Sequence, residues 1–345
     1  MKSSKIILLL LSFSLVVLFV CCLVFGSVDI PFRQVMRVLA GGEADKASWQ
    51  FIILHSRLPQ TITACFCGAS LALSGLMLQT FFRNPLAGPS VLGISNGASL
   101  GVAIVMLSMG GVLGAAGQMG TGALSPFNGI GGGVPVVLAA FLGAVLVTML
   151  YLVVTRFVKN NLVILILGIM VGYLASSAVT LLNFFATVEN VHSFVSWGMG
   201  SFSNVSMSQL PLLCGVSTLG IVLALLHTKS FNALQLGEDY ARNLGINLSS
   251  VRRVVLLSTG ILTAVTTAFC GPVSFIGLAV PHIARLLVRT SDHKVLMPAT
   301  MLTGSAIAML CCILCVLPHQ TIIPLNAVTP LFGAPVIIYI ILRGK

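Results

Sequence analysis

Charge is scarce in this chain of 345 residues. Only 7% of the residues are charged, against about 25% in soluble domains, while 57% are hydrophobic. So few charges cannot cover a water-facing surface, which excludes an ordinary soluble protein. A membrane-spanning helix needs about 20 mostly apolar residues, so the length allows about ten spans and little else. We therefore predict an all-α integral membrane protein with one transmembrane domain over residues 1–345.

Motifs for catalysis and nucleotide binding are also missing. The sequence has no G-x-x-x-x-G-K-[ST] loop, no H-E-x-x-H and no G-x-S-x-G. We therefore expect no enzymatic activity, and an intramembrane enzyme has no catalytic residues to support it. The nine cysteines lie in apolar runs without metal-ligand spacing, and the six histidines map to both ends of the predicted spans. We expect no metal, haem or other cofactor.

Acidic residues are absent from the predicted spans. All seven map to loops, namely Asp29, Glu43, Asp45, Glu189, Glu238, Asp239 and Asp292. Carriers driven by protons or sodium usually keep an ionisable group near the middle of the membrane. The pattern favours a neutral, polar pathway whose energy comes from another protein. An ion-coupled secondary carrier or a channel stays open as the alternative, because unwound backbone also coordinates ions.

Ten apolar runs bounded by Pro, Gly, Asn or charge predict ten helices. Because its apolar stretch is too long and lacks a cleavage site, the first run is predicted to be an uncleaved span rather than a signal peptide. With the N-terminus in the cytoplasm, 14 of the 18 lysines and arginines fall inside, as the positive-inside rule requires. The charge excess therefore does not call for a nucleic-acid partner. The helices are predicted at roughly 6–26, 58–81, 91–109, 134–157, 161–185, 208–228, 253–270, 276–290, 295–317 and 326–343.

Three connections between these helices are longer than simple turns. Residues 27–57 form a predicted outer loop, in which Pro31–Leu39 is a candidate interfacial helix. The Gly-rich residues 110–133 are predicted to be flexible. Residues 229–252 form the longest inner loop, and Leu234–Leu244 within it mixes apolar and charged positions at helical spacing.

Two groups of short motifs identify a family. The first runs from Arg57-Leu58-Pro59-Gln60 through Gly68–Gly75 and Gln79 to Asn84–Pro89 and Leu92–Ala98; the second comprises Leu236-Gly237-Glu238, Ala241–Gly245, Gly271–Leu278, Pro281–Arg285, Asp292-His293 and Gly333-Ala334-Pro335. Together they resemble the FecCD-type permeases, which are the membrane subunits of bacterial ABC importers for iron-siderophores, haem and vitamin B12. The resemblance extends from about residue 30 to the C-terminus.

The resemblance implies a bundle like that of the vitamin B12 permease. Such a chain would have ten spans, both termini in the cytoplasm and a place in the bacterial inner membrane. It would pair with a second copy of itself around a central pore, bind two ABC ATPase subunits on the inner side and receive an extracytoplasmic substrate-binding protein on the outer side. The substrate stays open among a ferric siderophore, haem and vitamin B12, with an iron complex favoured.

The resemblance also assigns candidate site residues. For Asn96, a role as a helix cap is as good an explanation as a role in the pore. The small residues Gly68, Ala69, Ala72 and Gly75 indicate close packing between helices rather than a pore role. Gln60 stands where many relatives carry a second arginine, so we expect an outer face with fewer charged contacts. The assigned residues are Gly237, Glu238, Asp239, Ala241, Arg242, Leu244 and Gly245 for ATPase coupling, Gln79, Ser95, Asn96 and Gly97 for the pore, Asn160, Asn161 and Leu162 for a cytoplasmic gate, and Arg57 for docking of the binding protein.

Overall fold

The computed structural model describes residues 2–108, 133–158, 160–317 and 323–343, and its regular secondary structure is helical throughout those ranges. The Gly-rich stretch that the sequence predicts to be flexible lies almost wholly outside them. In chain order the helices are α1 Lys2–Val24, α2 Phe32–Leu39, α3 Ala47–Ile52, α4 Leu58–Phe82, α5 Ile94–Ala103, α6 Gly133–Phe157, α7 Asn161–Phe185, α8 Val188–Gly198, α9 Leu210–Leu226, α10 Thr228–Leu236, α11 Glu238–Asn243, α12 Leu248–Cys270, α13 Ile276–Val288, α14 His293–Val316 and α15 Leu325–Arg343.

Each of the ten predicted apolar helices has a counterpart in the structure. Six helical segments of the described chain are long and apolar enough to cross a membrane, and α9 with α10 makes a seventh if the pair is taken as one span bent by 51°. The other three are shorter apolar helices, Ile94–Leu107, Ile276–Val288 and Leu325–Tyr339. The apolar runs thus predicted the positions of the helices to within a few residues.

Helix α4 forms the centre of the bundle because its small residues let neighbouring backbones approach. A Cβ atom added at Gly75 would lie 1.6 Å from the Gly277 carbonyl oxygen of α13, and one at Gly68 would lie 2.3 Å from the Gly304 carbonyl oxygen of α14. Glycine alone fits at such contacts, as in other packed membrane helices. The packing reading of these small residues is confirmed, and α4 is buried along most of its length.

The outer loop and the inner loop differ from their predictions. The predicted interfacial helix is present as Phe32–Leu39, but the outer loop ends earlier than expected because Ala47–Phe82 forms one continuous helical run through a π-helical turn at Ile53–Arg57. Helix α8 was not predicted; its N-cap is Thr187, whose side chain accepts a hydrogen bond from Asn190 N at 3.5 Å. The helical pattern over Leu234–Leu244 is divided between α10 and α11 at Gly237.

Candidate coupling and translocation sites

The connection between α9 and α12 is a folded segment, which we call the coupling segment and define as Thr228–Gly245. Gly237 separates its two helices and adopts φ = 131°, a backbone conformation that strongly favours glycine. Gly245 ends the segment at φ = 77°, and its amide donates to Arg242 O at 2.8 Å. Both motif glycines are therefore required by the turns that shape this segment.

The coupling segment has one buried side and one exposed side. Ala241 is fully buried and turns α11 toward the bundle. Three large apolar side chains point outward instead: Leu236, Tyr240 and Leu244 are 67%, 48% and 58% exposed. Exposed charges on α11 lie beside them, contributed by Asp239 and Arg242. An apolar patch next to charges of both signs is typical of a protein contact surface.

The coupling segment is attached to the C-terminal end of α4. Arg83, at the C-terminal end of α4, adopts a left-handed conformation and its Nη2 donates to Leu234 O at 3.2 Å. A Cβ at Gly237 would lie 3.3 Å from the same nitrogen, so the arginine passes close to the turn. Glu238 is half-buried at the start of α11. The seven predicted coupling residues therefore lie together in one compact structure.

The predicted pore residue Gln79 lies between α4 and α13 and is 4% exposed. Its Nε2 donates to Leu278 O at 3.0 Å, and its Oε1 accepts from Arg285 Nη1 at 3.0 Å. Both ends of the amide are thus engaged within the protomer. In this conformation Gln79 holds two helices together and is not presented to an open pathway.

The predicted pore turn Ser95–Gly97 opens helix α5. The N-cap position belongs to Gly93 at φ = 69°, and the structure shows no side-chain capping bond at this helix. Capping, the alternative for Asn96, is therefore wrong. Asn96 is half-buried, and its Nδ2 would be 2.7 Å from a Cβ at Gly172 of α7. Ser95 is buried, and Gly97 packs closely against Gly143 of α6, so only Asn96 keeps a partly accessible polar group.

The predicted gate residues lie at the N-terminal end of α7, with Asn160 at the N-cap position and Asn161 and Leu162 in its first turn. Asn160 caps α7, because its Oδ1 accepts from Leu162 N at 2.9 Å, and Leu162 is 64% exposed. Nearby, Arg252 of α12 donates from Nη1 to Val158 O at 3.0 Å. The side chain of Asn161 lies outside the described part of the structure. Asn160 and Leu162 are exposed in the single protomer, and the gating role of these residues stays a prediction.

Arg57, which is predicted to take part in docking of the binding protein, is buried within the single protomer. It is 4% exposed, and its guanidinium donates to the carbonyls of Leu23 at 2.8 Å, Val24 at 2.6 Å and Val28. The last carbonyls of a helix lack partners within it and favour a nearby cation, which explains this position at the end of α1. Arg57 therefore fastens α1 to the bundle, and its docking role stays a prediction.

No set of three or more His, Cys, Asp or Glu side chains in the described ranges is arranged to hold a metal ion. All nine cysteines are free. Two of them, Cys67 of α4 and Cys270 of α12, approach to 3.3 Å between their sulfur atoms and pack within the core. The thiols thus contribute to helix packing.

Comparison with known proteins agrees with this arrangement. The sequence profile described as the FecCD transport family matches residues 14–343. The chain belongs to the FecCD transport family. It is 36% identical over 315 residues to the vitamin B12 import system permease protein BtuC of Klebsiella pneumoniae, covering 88% of this chain and 86% of that protein. It is 33% identical to the protein of the same name from Salmonella typhi, covering 89% and 88%.

A solved structure shares the whole fold of this FecCD chain. It is an inward-facing conformation of a metal-chelate type ABC transporter, with a TM-score of 0.82 and 27% sequence identity, covering 98% of this chain and 99% of that one. The recognition of the family from its motifs is confirmed. The helical permease fold is confirmed with it.

Reasoning from the sequence missed one polar clamp in this FecCD chain. Asn326, at the start of α15, donates from Nδ2 to Gly198 O at 3.1 Å and Pro272 O at 2.6 Å, while its Oδ1 accepts from Ser274 N at 3.1 Å. The clamp holds the Gly271–Phe275 turn against the end of α8.

Proposed function

We propose that this chain is the transmembrane permease subunit of a bacterial ABC importer. The observation that supports the proposal is the coupling segment, in which the family's motif residues form a folded segment with an exposed, partly apolar surface at one end of a FecCD bundle. A surface of this kind suits the groove of a separate ATPase. Membership of a transport family, and the absence of a phosphate-binding loop from the sequence, support a subunit that does no bond chemistry itself.

The arrangement in the membrane follows from the charge pattern. We infer ten spans with both termini in the cytoplasm of the inner membrane, the three shorter apolar helices completing the spans. Two copies of the chain would enclose the pore, two ATPase subunits would bind below, and an extracytoplasmic binding protein would bind above. ATP-driven closure of the ATPases would move the coupling segments and switch the pore between its two faces.

The cargo we propose is a bulky metal complex, either an iron complex such as a ferric siderophore or haem, or vitamin B12. The relatives named for vitamin B12 import and the solved structure named for metal chelates support this class. Asn96 and the gate residues Asn160, Asn161 and Leu162 would lie along the translocation pathway. The side chains of the three asparagines would give that pathway neutral polar groups. No observation on the described residues favours the ion-coupled carrier over this reading.

The experiment is reconstitution of the chain in lipid with its ATPase and binding protein. ATP-dependent uptake is measured with the binding protein loaded in turn with ferric siderophore, haem or cobalamin. Uptake of one ligand that requires ATP supports the proposal and names the cargo. Uptake that does not require ATP and depends on an ion gradient would refute the proposal and favour the ion-coupled carrier.

A variant pair tests the coupling surface in the same system. Leu244→Ser removes an exposed apolar anchor, and we expect ATPase binding to weaken about tenfold, as at other interface anchors. Val188→Ser is the matched control, because Val188 is 80% exposed at the start of α8 and lies outside the coupling segment. Equal ATPase affinity for both variants would show that the segment is not the contact surface.

A further inference from the structure

A cluster of polar side chains lies behind the coupling segment, where the end of α4 meets the start of α14. Thr80 and His293 are buried in it, Asn232 is half-buried and Asp292 is exposed. His293 is fully buried and its ring stacks on Phe231, with ring centroids 5.6 Å apart. A polar ring in such surroundings is stable only when its nitrogens are hydrogen-bonded, so the bonds of this cluster are individually important.

The orientation of the Asn232 amide is determined by its partners. Its Nδ2 donates to Asp292 Oδ1 at 2.7 Å, which leaves Oδ1 as the acceptor on the other side. That oxygen accepts from the backbone N of His293 at 2.7 Å and lies 3.0 Å from His293 Nδ1. Since Oδ1 only accepts, Nδ1 carries the proton of the neutral ring, and Nε2 becomes the acceptor.

Nε2 of His293 lies 3.0 Å from Thr80 Oγ1, so the threonine hydroxyl is its donor. The same hydroxyl has a second acceptor, because Leu76 O of its own helix lies 2.9 Å away. One hydroxyl proton cannot serve both atoms. If His293 moves away, the hydroxyl turns to Leu76 O and stays satisfied, so the contact has two discrete arrangements. The contact between His293 and Thr80 can therefore break and re-form without leaving the threonine hydroxyl unsatisfied.

The cluster joins the two parts of the molecule that transport must connect. Asn232 belongs to α10, five residues before Gly237 and the exposed helix α11. Thr80 belongs to α4, one residue after Gln79, which bonds α13. His293 bridges them from the first residue of α14. We propose that His293 is a positioning residue that transmits movement of the coupling segment to α4 through the Thr80 hydroxyl.

This inference rests on the proposed function, but its first test does not require transport. Thr80→Val removes the hydroxyl with little change of shape. In the isolated full-length protein in lipid nanodiscs, we expect amide hydrogen exchange in Thr228–Gly245 to quicken about fivefold, as the loss of one hydrogen bond shifts a two-state equilibrium. Thr80→Ser keeps the hydroxyl and should exchange like the wild type. Unchanged exchange in Thr80→Val would overturn the proposal, whatever the protein transports.

The control is Thr303→Val in α14. Thr303 is buried and its hydroxyl bonds only the carbonyl of Ala299 in its own helix, at 2.7 Å, among the contacts of the described chain. It therefore loses the same chemical group without touching the cluster. Exchange in the coupling segment should not change. Equal quickening in both valine variants would mean a general loss of stability and would overturn the proposal.

The second test uses the reconstituted importer and measures solute taken up per ATP hydrolysed. A residue with a purely structural role would lower both rates together, whereas we expect Thr80→Val and His293→Asn to lower the ratio about fivefold. Asparagine keeps a donor toward Asn232 but is too short to reach Thr80. A wild type without ATP-dependent uptake would refute the proposed function alone, since the exchange test would still stand. A working importer whose ratio is unchanged in both variants would refute the role of His293.

Discussion

The contact between Gly75 and Gly277 gives a sharp test of the helix packing. The change is Gly75→Ala, which adds one methyl group to α4. The added Cβ would lie 1.6 Å from the Gly277 carbonyl oxygen, whereas real Cβ contacts essentially never fall below 3.0 Å. The neighbouring atom is backbone and has no rotamer to change, so α4 and α13 must move apart by about 1.4 Å.

The energetic consequence follows from that separation. Overpacking of a buried site costs about 1–3 kcal/mol, and a gap of 0.5–1 Å already forfeits about a quarter to a half of each van der Waals contact along the interface. We therefore expect a loss near the upper end, about 3 kcal/mol. With an unfolding entropy of about 2.1 cal/mol/K per residue, a chain of 345 residues shifts its melting temperature by about 1.4 °C per kcal/mol, so the melting temperature should fall by about 4 °C.

The assay follows thiol exposure during heating in detergent, with a dye that fluoresces on reaction with cysteine. The chain suits this assay because Cys67, Cys270 and Cys311 are fully buried and become reactive only on unfolding. Gly215→Ala in α9 is the matched control, since nothing lies within 4 Å of its added Cβ and alanine is favoured over glycine in a helix by about 0.5–1 kcal/mol. A melting temperature of the Gly75→Ala protein equal to or above that of the wild type would refute the packing argument.

Three further outcomes are expected from the same melting assay. Arg57→Gln should lower the melting temperature, because charge-assisted bonds to the carbonyls of α1 contribute about 1.5–3 kcal/mol each, and a wild-type value would show that the guanidinium does not fasten α1. Asn326→Ala should cost about 1–3 kcal/mol by leaving the Gly271–Phe275 turn without its clamp, and Asn326→Asp should lose at least as much, because it places a carboxylate oxygen where Nδ2 donates to the carbonyls of Gly198 and Pro272. Hydrogen bonds from Lys294 N and the Asn232 side chain lower the pKa of Asp292, so its stabilisation is complete above the ordinary value of 3.8 and is lost as pH falls through the lower folded value. Asp292→Ala should therefore lose stability at neutral pH and show a weaker dependence on pH in the acid range, and an unchanged acid profile would contradict this assignment.

The candidate coupling site was largely predictable because its signal is local. Gly237 and Gly245 stand at positions where the backbone adopts positive φ, so the residue type records the turn directly. The break at Gly237 was missed because helical spacing of apolar residues continues across it. Sequence periodicity reports which side of a segment is apolar, but it does not report where the axis changes direction.

The pathway and docking residues were harder to predict, because their roles depend on neighbours distant in sequence. The sequence places Arg57 in a predicted outer loop, where it was assigned to docking. The carbonyls that it binds belong to residues more than 25 positions earlier in the chain. Gln79 was predicted to be a polar residue of the pore. Its hydrogen-bond partners are Leu278 and Arg285, about 200 positions later in the chain. The same limit applies to His293, whose motif was recognisable while its bridge to Thr80 was not.

The sequence by itself determined that this chain is a helical membrane protein of the FecCD transport family, and approximately where its helices lie. Those properties follow from composition, apolar run length and glycine positions, which act locally and accumulate along the chain. Only the tertiary structure decided which polar side chains are engaged within the protomer. Hydrogen bonding over a few ångströms depends on which helices become neighbours, and that outcome is set by the packing of the whole bundle around α4.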